Sequence, residues 1–208
     1  MQILSRICGA LTMLIGAGVL CGWSNDIGWL THFSFFQAST QPVAAFLMLV
    51  SGFMLLFLPN NRDNRTSLAV SFCSQSILFL ISGLVASRVL NWHFEDLFYK
   101  SAQTGFPSVG AFLGFMLVAF SGLCYVFNGS KRFARMRKMS IAIFAIGAVA
   151  IAGVILDCPF LSFHIPEKSI PLAVPTAIGF MIFAIGLRAS IPDNKELPCK
   201  QLKNPLIT

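Results

Sequence analysis

Long apolar stretches separated by short polar or proline-containing breaks run the length of the chain, near residues 4–23, 42–59, 68–90, 107–127, 138–156 and 172–190. Each is long enough to form a helix crossing a bilayer, which takes about 20 residues. Pro42, Pro107 and Pro171 stand at the starts of the second, fourth and sixth stretches, where a missing amide hydrogen costs a helix least. The pattern predicts an all-α, polytopic membrane protein: a six-helix transmembrane bundle over residues 1–190, built from three helix-loop-helix hairpins near 4–59, 68–127 and 138–190. A polar tail, 191–208, follows on the cytoplasmic side.

The cations sort by loop. Arg6, Arg62, Arg65, Lys131, Arg132, Arg135, Arg137, Lys138, Arg188, Lys195, Lys200 and Lys203 fall on one side of the six stretches, and only Arg88, Lys100 and Lys168 on the other. Short loops rich in Lys and Arg stay in the cytoplasm, so both termini are expected inside, in a bacterial inner membrane. Asp26, Glu95, Asp96, Asp157 and Glu167 fall on the cation-poor outer side. Arg6 followed by the apolar run Leu11–Cys21 resembles a signal peptide, but no small-residue cleavage site follows and Trp23 closes the run as an interfacial aromatic would, which predicts an uncleaved first helix.

Composition agrees with this placement. The chain is 56% hydrophobic and only 11% charged, with a mean hydropathy of +0.76, against about 25% charged residues in soluble domains. Six crossings in 208 residues leave no room for a catalytic domain outside the membrane. The net charge of +7 is confined to topological positions rather than spread over a face, which points away from nucleic acid. The run Lys131, Arg132, Arg135, Arg137 and Lys138 suits a topology anchor, and also contact with anionic lipid or a protein partner. The six cysteines lack metal-ligand spacing and mostly sit in apolar runs; Cys21 and Cys158, near the outer face, are the pair whose position allows a disulfide.

Similar segments recur. Gly22-Trp23-Ser24-Asn25-Asp26-Ile27-Gly28-Trp29-Leu30, then Gln41-Pro42-Val43-Ala44-Ala45, is matched by Gly153-Val154-Ile155-Leu156-Asp157-Cys158-Pro159-Phe160-Leu161, then Val174-Pro175-Thr176-Ala177. A looser middle copy runs through Asn91-Trp92 and Phe106-Pro107-Ser108. The outer loops are rich in aromatic and aliphatic residues, including Trp29, Phe33, Phe35, Phe36, Phe94, Phe98, Tyr99, Phe160 and Phe163, which predicts short interfacial helices. Glycines within the stretches, among them Gly110-xxx-Gly114, predict close helix contact.

Leu156-Asp157-Cys158-Pro159-Phe160-Leu161 followed by the segment Val174–Leu187, with Pro175-Thr176-Ala177 near its start, resembles the N-terminal membrane sensory modules of bacterial histidine kinases and diguanylate cyclases. Their pattern is G-W-x-x-D-x-P-x-L, a loop, then P-x-T-A-x-x-F-x-L-x-G-x-x-L. The first copy departs from it, with Gly28 in place of the Pro and Pro42-Val43-Ala44-Ala45 in place of P-x-T-A. Beyond Leu187 only the tail Arg188–Thr208 follows, so the resemblance implies signalling through a separate protein partner.

The residues available for chemistry are few. His32, His93 and His164 fall one to each outer loop beside carboxylates, a set that could meet a metal or sense pH. Asp26 and Asp157 occupy matching places just past a helix end, where each would cap a loop helix or meet a polar ligand group. Arg88 would snorkel, pair with Glu95 or Asp96, or meet an anionic ligand. No HExxH, G-x-S-x-G, Walker or dinucleotide motif occurs. The expectation is a non-enzymatic module recognising a small apolar or amphipathic ligand in the outer half of the bundle, with Asp26, Arg88, Asp157, Trp23 and Trp92 as polar and aromatic contacts. An accessory subunit of a membrane complex is the alternative, and a transporter a third.

Overall fold

Where water is scarce, each backbone amide must find its acceptor within its own segment, so apolar runs rich in Leu, Ile, Val, Ala and Phe become helices. The structure, a computed structural model, describes residues 2–32, 40–58, 64–90, 108–127, 131–156, 158, 160–163 and 171–191. In chain order the helices are α1 (Gln2–Ser24), α2 (Gly28–His32), α3 (Pro42–Phe57), α4 (Asn64–Val89), α5 (Val109–Val126), α6 (Arg132–Ile155) and α7 (Val174–Ser190). No strand occurs among the described residues.

Four helices, α1, α4 over Asn64–Ser87, α5 and α6, are long and apolar enough to cross a membrane. Two shorter apolar helices, α3 and α7, have 16 and 17 residues. These helices mark a membrane protein. The short α2 is where an interfacial loop helix is expected, and its Trp29 is 63% exposed.

The helix starts have local causes. Pro42 opens α3 behind the extended Gln41, and the Ser108 side chain caps α5 by accepting from the Ala111 amide at 3.1 Å. At α7 the expected Pro171 is displaced: residues 171–173 precede the helix, and Pro175 is the proline of its first turn. Helices α4 and α6 begin several residues before their apolar stretches, at Asn64 and Arg132. Arg and Lys are good helix formers, so the coil continues past the point where hydropathy ends.

Helix α1 packs most extensively on α3, then α6 on α7, with α1–α7, α4–α5, α5–α6 and α3–α4 closing a ring; α3 also touches α7 and α5. The α1–α3 crossing is antiparallel and tight. A Cβ at Gly9 would lie 3.0 Å from the Gly52 carbonyl, and one at Gly16 would lie 2.6 Å from that of Ala45. The α6–α7 crossing copies it: a Cβ at Gly147 would meet the Ala177 carbonyl at 2.6 Å, and the Ser140 hydroxyl donates to the Ala184 carbonyl at 3.2 Å. By contrast Gly110 and Gly114 face the rings of Phe163 and Phe180. That pair of glycines seats aromatic rings instead of admitting a second backbone.

Buried positions recur at identical intervals. In α1 they are Ser5, Cys8, Gly9, Thr12, Gly16, Val19 and Gly22; in α4, Val70, Cys73, Ser74, Ile77, Ile81, Leu84 and Ser87. Helix α6 follows with Met136, Ser140, Ile143, Gly147, Ala150 and Gly153, its Met139 being half-buried. The steps Val43, Ala44, Leu47, Met48, Ser51, Gly52, Met54 and Leu55 of α3 are those of Gly110, Ala111, Gly114, Phe115, Val118, Ala119, Ser121 and Gly122 of α5, and of Pro175, Thr176, Gly179, Phe180, Phe183, Ala184, Gly186 and Leu187 of α7. At one such step Met48, Phe115 and Phe180 meet at the centre, each no more than 2% exposed. Met48 fills the space over Gly179, Phe180 that over Gly114, and the two rings lie edge to face with centroids 4.9 Å apart.

Candidate functional site

At the end of the bundle expected outside, α1 closes through Asp26, whose φ is 52°. The Ile27 amide bonds back to the Gly22 carbonyl at 2.8 Å, so Asp26 is the left-handed residue of a Schellman-type helix end. Asp and Asn tolerate that conformation better than other residues bearing a Cβ. The Asp26 carboxylate is exposed and takes no hydrogen bond among the described residues. This corrects the expected cap: Asp26 ends α1 through its backbone and does not cap α2 through its side chain. On α2 it is the Thr31 hydroxyl that bonds locally, donating to the Gly28 carbonyl at 2.9 Å.

Trp23 is half-buried, and its indole Nε1 donates to the Thr40 carbonyl at 2.7 Å. The Thr40 amide in turn donates to the Thr31 carbonyl at 3.0 Å. Trp23 therefore ties the end of α1 to the entry of α3. Around Cys158 the same bonds recur, from the Cys158 amide to the Gly153 carbonyl at 2.8 Å and from the Leu172 amide to the Ser162 carbonyl at 2.9 Å. Cys21 and Cys158 are both free thiols, so no disulfide joins them.

Between α3, α4 and α5 lies an apolar void of about 20 Å³, lined by residues such as Leu47, Leu84 and Phe115. It is far below the roughly 300–1,000 Å³ of small-molecule sites. The larger concavity is at the opposite end, where a groove of about 550 Å³ opens on the outside of the bundle between Leu4 of α1, Ser140, Ile141 and Phe144 of α6, and Ala184, Ile185, Arg188 and Ala189 of α7. Ile141, Phe144 and Ile185 are exposed along its walls, Ser140 is in its floor, and Arg188 is the one charged lining residue among those described.

The basic run lies at the groove's end of the bundle. Lys131 precedes α6, and Arg132, Arg135, Arg137 and Lys138 occupy its first turns; the Arg132 guanidinium sits 4.2 Å over the Phe133 ring. Arg137 shares the groove-facing stripe of α6 with Ile141 and Phe144, at i, i+4 and i+7. Its Nε is shielded from solvent and has no acceptor.

Asp157, Trp92, His93 and His164 lie outside the described residues, as do the side chains of Arg88 and His32 and most of the tail. Among the described residues no three His, Cys, Asp or Glu side chains group as a metal site. The groove and Arg188 were not anticipated as a site. Their signal emerges once the helix pairs are superimposed: where α3 carries Leu56-Phe57, the corresponding step of α7 carries Arg188-Ala189. No family model, curated protein or solved structure matches the chain.

Proposed function

We infer that the chain is a six-span membrane recognition module without chemistry of its own, made of three copies of one hairpin (α1/α3, α4/α5, α6/α7), with both termini in the cytoplasm of a bacterial cell. It recognises an amphipathic molecule drawn from the bilayer and passes the event to a separate partner protein. The observation carrying this reading is the groove of about 550 Å³: it is apolar, opens sideways and has one cation at its lip. Such a shape suits a ligand that arrives through lipid.

Several facts support the six-span arrangement. Helices α3 and α7, though only about 24–26 Å long at 1.5 Å per residue, have the most fully buried faces of their pairs, and Leu58 extends α3 in helical conformation. Exposed faces elsewhere are apolar, as at Leu68, Phe72, Phe79 and Ile141. The cation sorting supports the orientation, and the resemblance to sensory modules supports a signalling role.

The exposed cations Lys131, Arg135 and Lys138 favour a second reading, an accessory subunit docked through this end. Purification from membranes in mild detergent, followed by native mass spectrometry and cross-linking, separates the two. A bound small amphiphile together with a substoichiometric signalling partner is expected. Stoichiometric recovery in a larger complex with an empty groove would replace the first reading by the second.

A further inference from the structure

We propose that the groove between α1, α6 and α7 binds an anionic phospholipid of the cytoplasmic leaflet, its headgroup between Arg137 and Arg188 and one chain along Ile141, Phe144 and Ile185. This deepens the reading above and rests on it, since it requires the groove to lie at the inner leaflet.

The register places the two cations together. The Ser140 hydroxyl bonds to the Ala184 carbonyl at 3.2 Å, which fixes α6 and α7 as antiparallel neighbours at that level. One turn further toward the basic end, α6 presents Arg137 and α7 presents Arg188. Two guanidinium groups at one level repel unless an anion lies between them, and each can form paired bonds to phosphate oxygens. The Nε of Arg137 is a shielded donor still lacking an acceptor. Among the described residues the one carboxylate, Asp26, is at the opposite end of the bundle.

Comparison with the other two pairs shows that this recess is specific to the third. At the corresponding steps α3 carries Phe53, Leu56 and Phe57, and the two rings pack edge to face at 4.8 Å over the place where the groove would be. Helix α5 carries Phe120, Leu123 and Cys124 there. Facing them, α1 has Arg6 and α4 has Ser71. Only α6 and α7 combine a cation on both helices with a small residue, Ala189, where the first pair has a ring. Cation sorting asks for positive charge at this end but does not ask for a groove of about 550 Å³ with Arg188 in its lining, one turn from the stripe of α6 that carries Arg137. The exposed walls formed by Ile141, Phe144 and Ile185 continue toward the surface that lipid covers. A ligand with a chain therefore fits better than a soluble phosphate.

The test uses the full chain in nanodiscs holding equal amounts of phosphatidylglycerol and phosphatidylethanolamine with identical chains, released into native mass spectrometry. At the usual attraction per juxtamembrane cation, two arginines give roughly a thirtyfold preference for phosphatidylglycerol, and Arg188→Leu or Arg137→Ser alone reduces it to roughly fivefold. The double variant shows none, and Ala189→Phe lowers retention of both lipids. These substitutions install residues found at the matching steps of the other pairs, which fold with them. Equal retention of the two lipids by the unaltered protein, an undiminished preference in the double variant, or unchanged retention by Ala189→Phe would each overturn the proposal. If that happens while both termini are labelled only from the cytoplasm, the lipid site alone fails; termini labelled from outside overturn the reading beneath it.

Discussion

Gly16 and Gly18 lie two residues apart on α1 and face opposite surroundings, so the same substitution at each should give opposite results. A Cβ at Gly16 would stand 2.6 Å from the Ala45 carbonyl oxygen and 2.8 Å from the Leu49 amide nitrogen, whereas one at Gly18 would meet nothing within 4 Å. Carbon atoms rest about 3.5–4.0 Å from their neighbours. Gly16→Leu must therefore move the backbone of α3 by roughly 1 Å before the rest of the side chain is placed. That displacement also opens the Gly9–Gly52 contact on the same face. Overpacking of this kind costs about 1–3 kcal/mol, and obstruction by backbone puts Gly16→Leu at the upper end. Gly18→Leu meets no obstacle and gains roughly 0.8 kcal/mol of helix propensity. The expected difference, roughly 4 kcal/mol, corresponds to melting temperatures about 8–16 °C apart for a chain of this size. Thermal unfolding followed by circular dichroism in mild detergent reads it directly. If Gly16→Leu melts together with Gly18→Leu, α1 and α3 do not cross at this point and the packing account is wrong.

Other substitutions test the outer end and the centre. Asp26→Gly should stabilise by up to about 1 kcal/mol by relieving the left-handed conformation, and Asp26→Val should destabilise by about as much or more; a loss of stability in Asp26→Gly would show that the carboxylate, not the backbone, does the work. Trp23→Phe removes the bond to the Thr40 carbonyl and should cost about 1 kcal/mol, accompanied by faster amide exchange at Thr40; unchanged exchange there would refute the tie. Phe180→Ala empties the space over Gly114 and beside Phe115 and should cost about 3–5 kcal/mol. Phe160→Ala, at a ring 86% exposed, should leave the melting temperature unchanged.

Hydropathy located the helices because the bilayer sorts whole segments by composition, and each of the six apolar stretches overlaps a helix of the structure. It placed the starts of α4 and α6 late because a helix does not stop where its side chains become polar, as Arg65 and Arg132 show. Small residues signalled close packing but not which partner they admit. Gly9 and Gly16 receive backbone, Gly110 and Gly114 receive rings, and Gly18 receives nothing. That distinction depends on helix rotation, which a glycine count does not encode. Asp26 was recognised as a residue of interest at a helix end, yet its φ of 52° and so its role were fixed by the turn. The groove was illegible for a further reason. It arises from what Arg188 and Ala189 lack relative to Leu56 and Phe57, and a missing ring is visible only once the helix pairs are superimposed.

The central claim is that the helices span the bilayer as three hairpins with their basic ends in the cytoplasm. Its most direct test is labelling of single cysteines, introduced into a cysteine-free variant, with a membrane-impermeant maleimide in intact and in opened cells. Cysteine at Asn25 and at Phe160 should label in intact cells, while cysteine at Lys131 and at Ala189 should label only after opening. Labelling of Lys131 or Ala189 positions from outside, or of all four from one side, would contradict it.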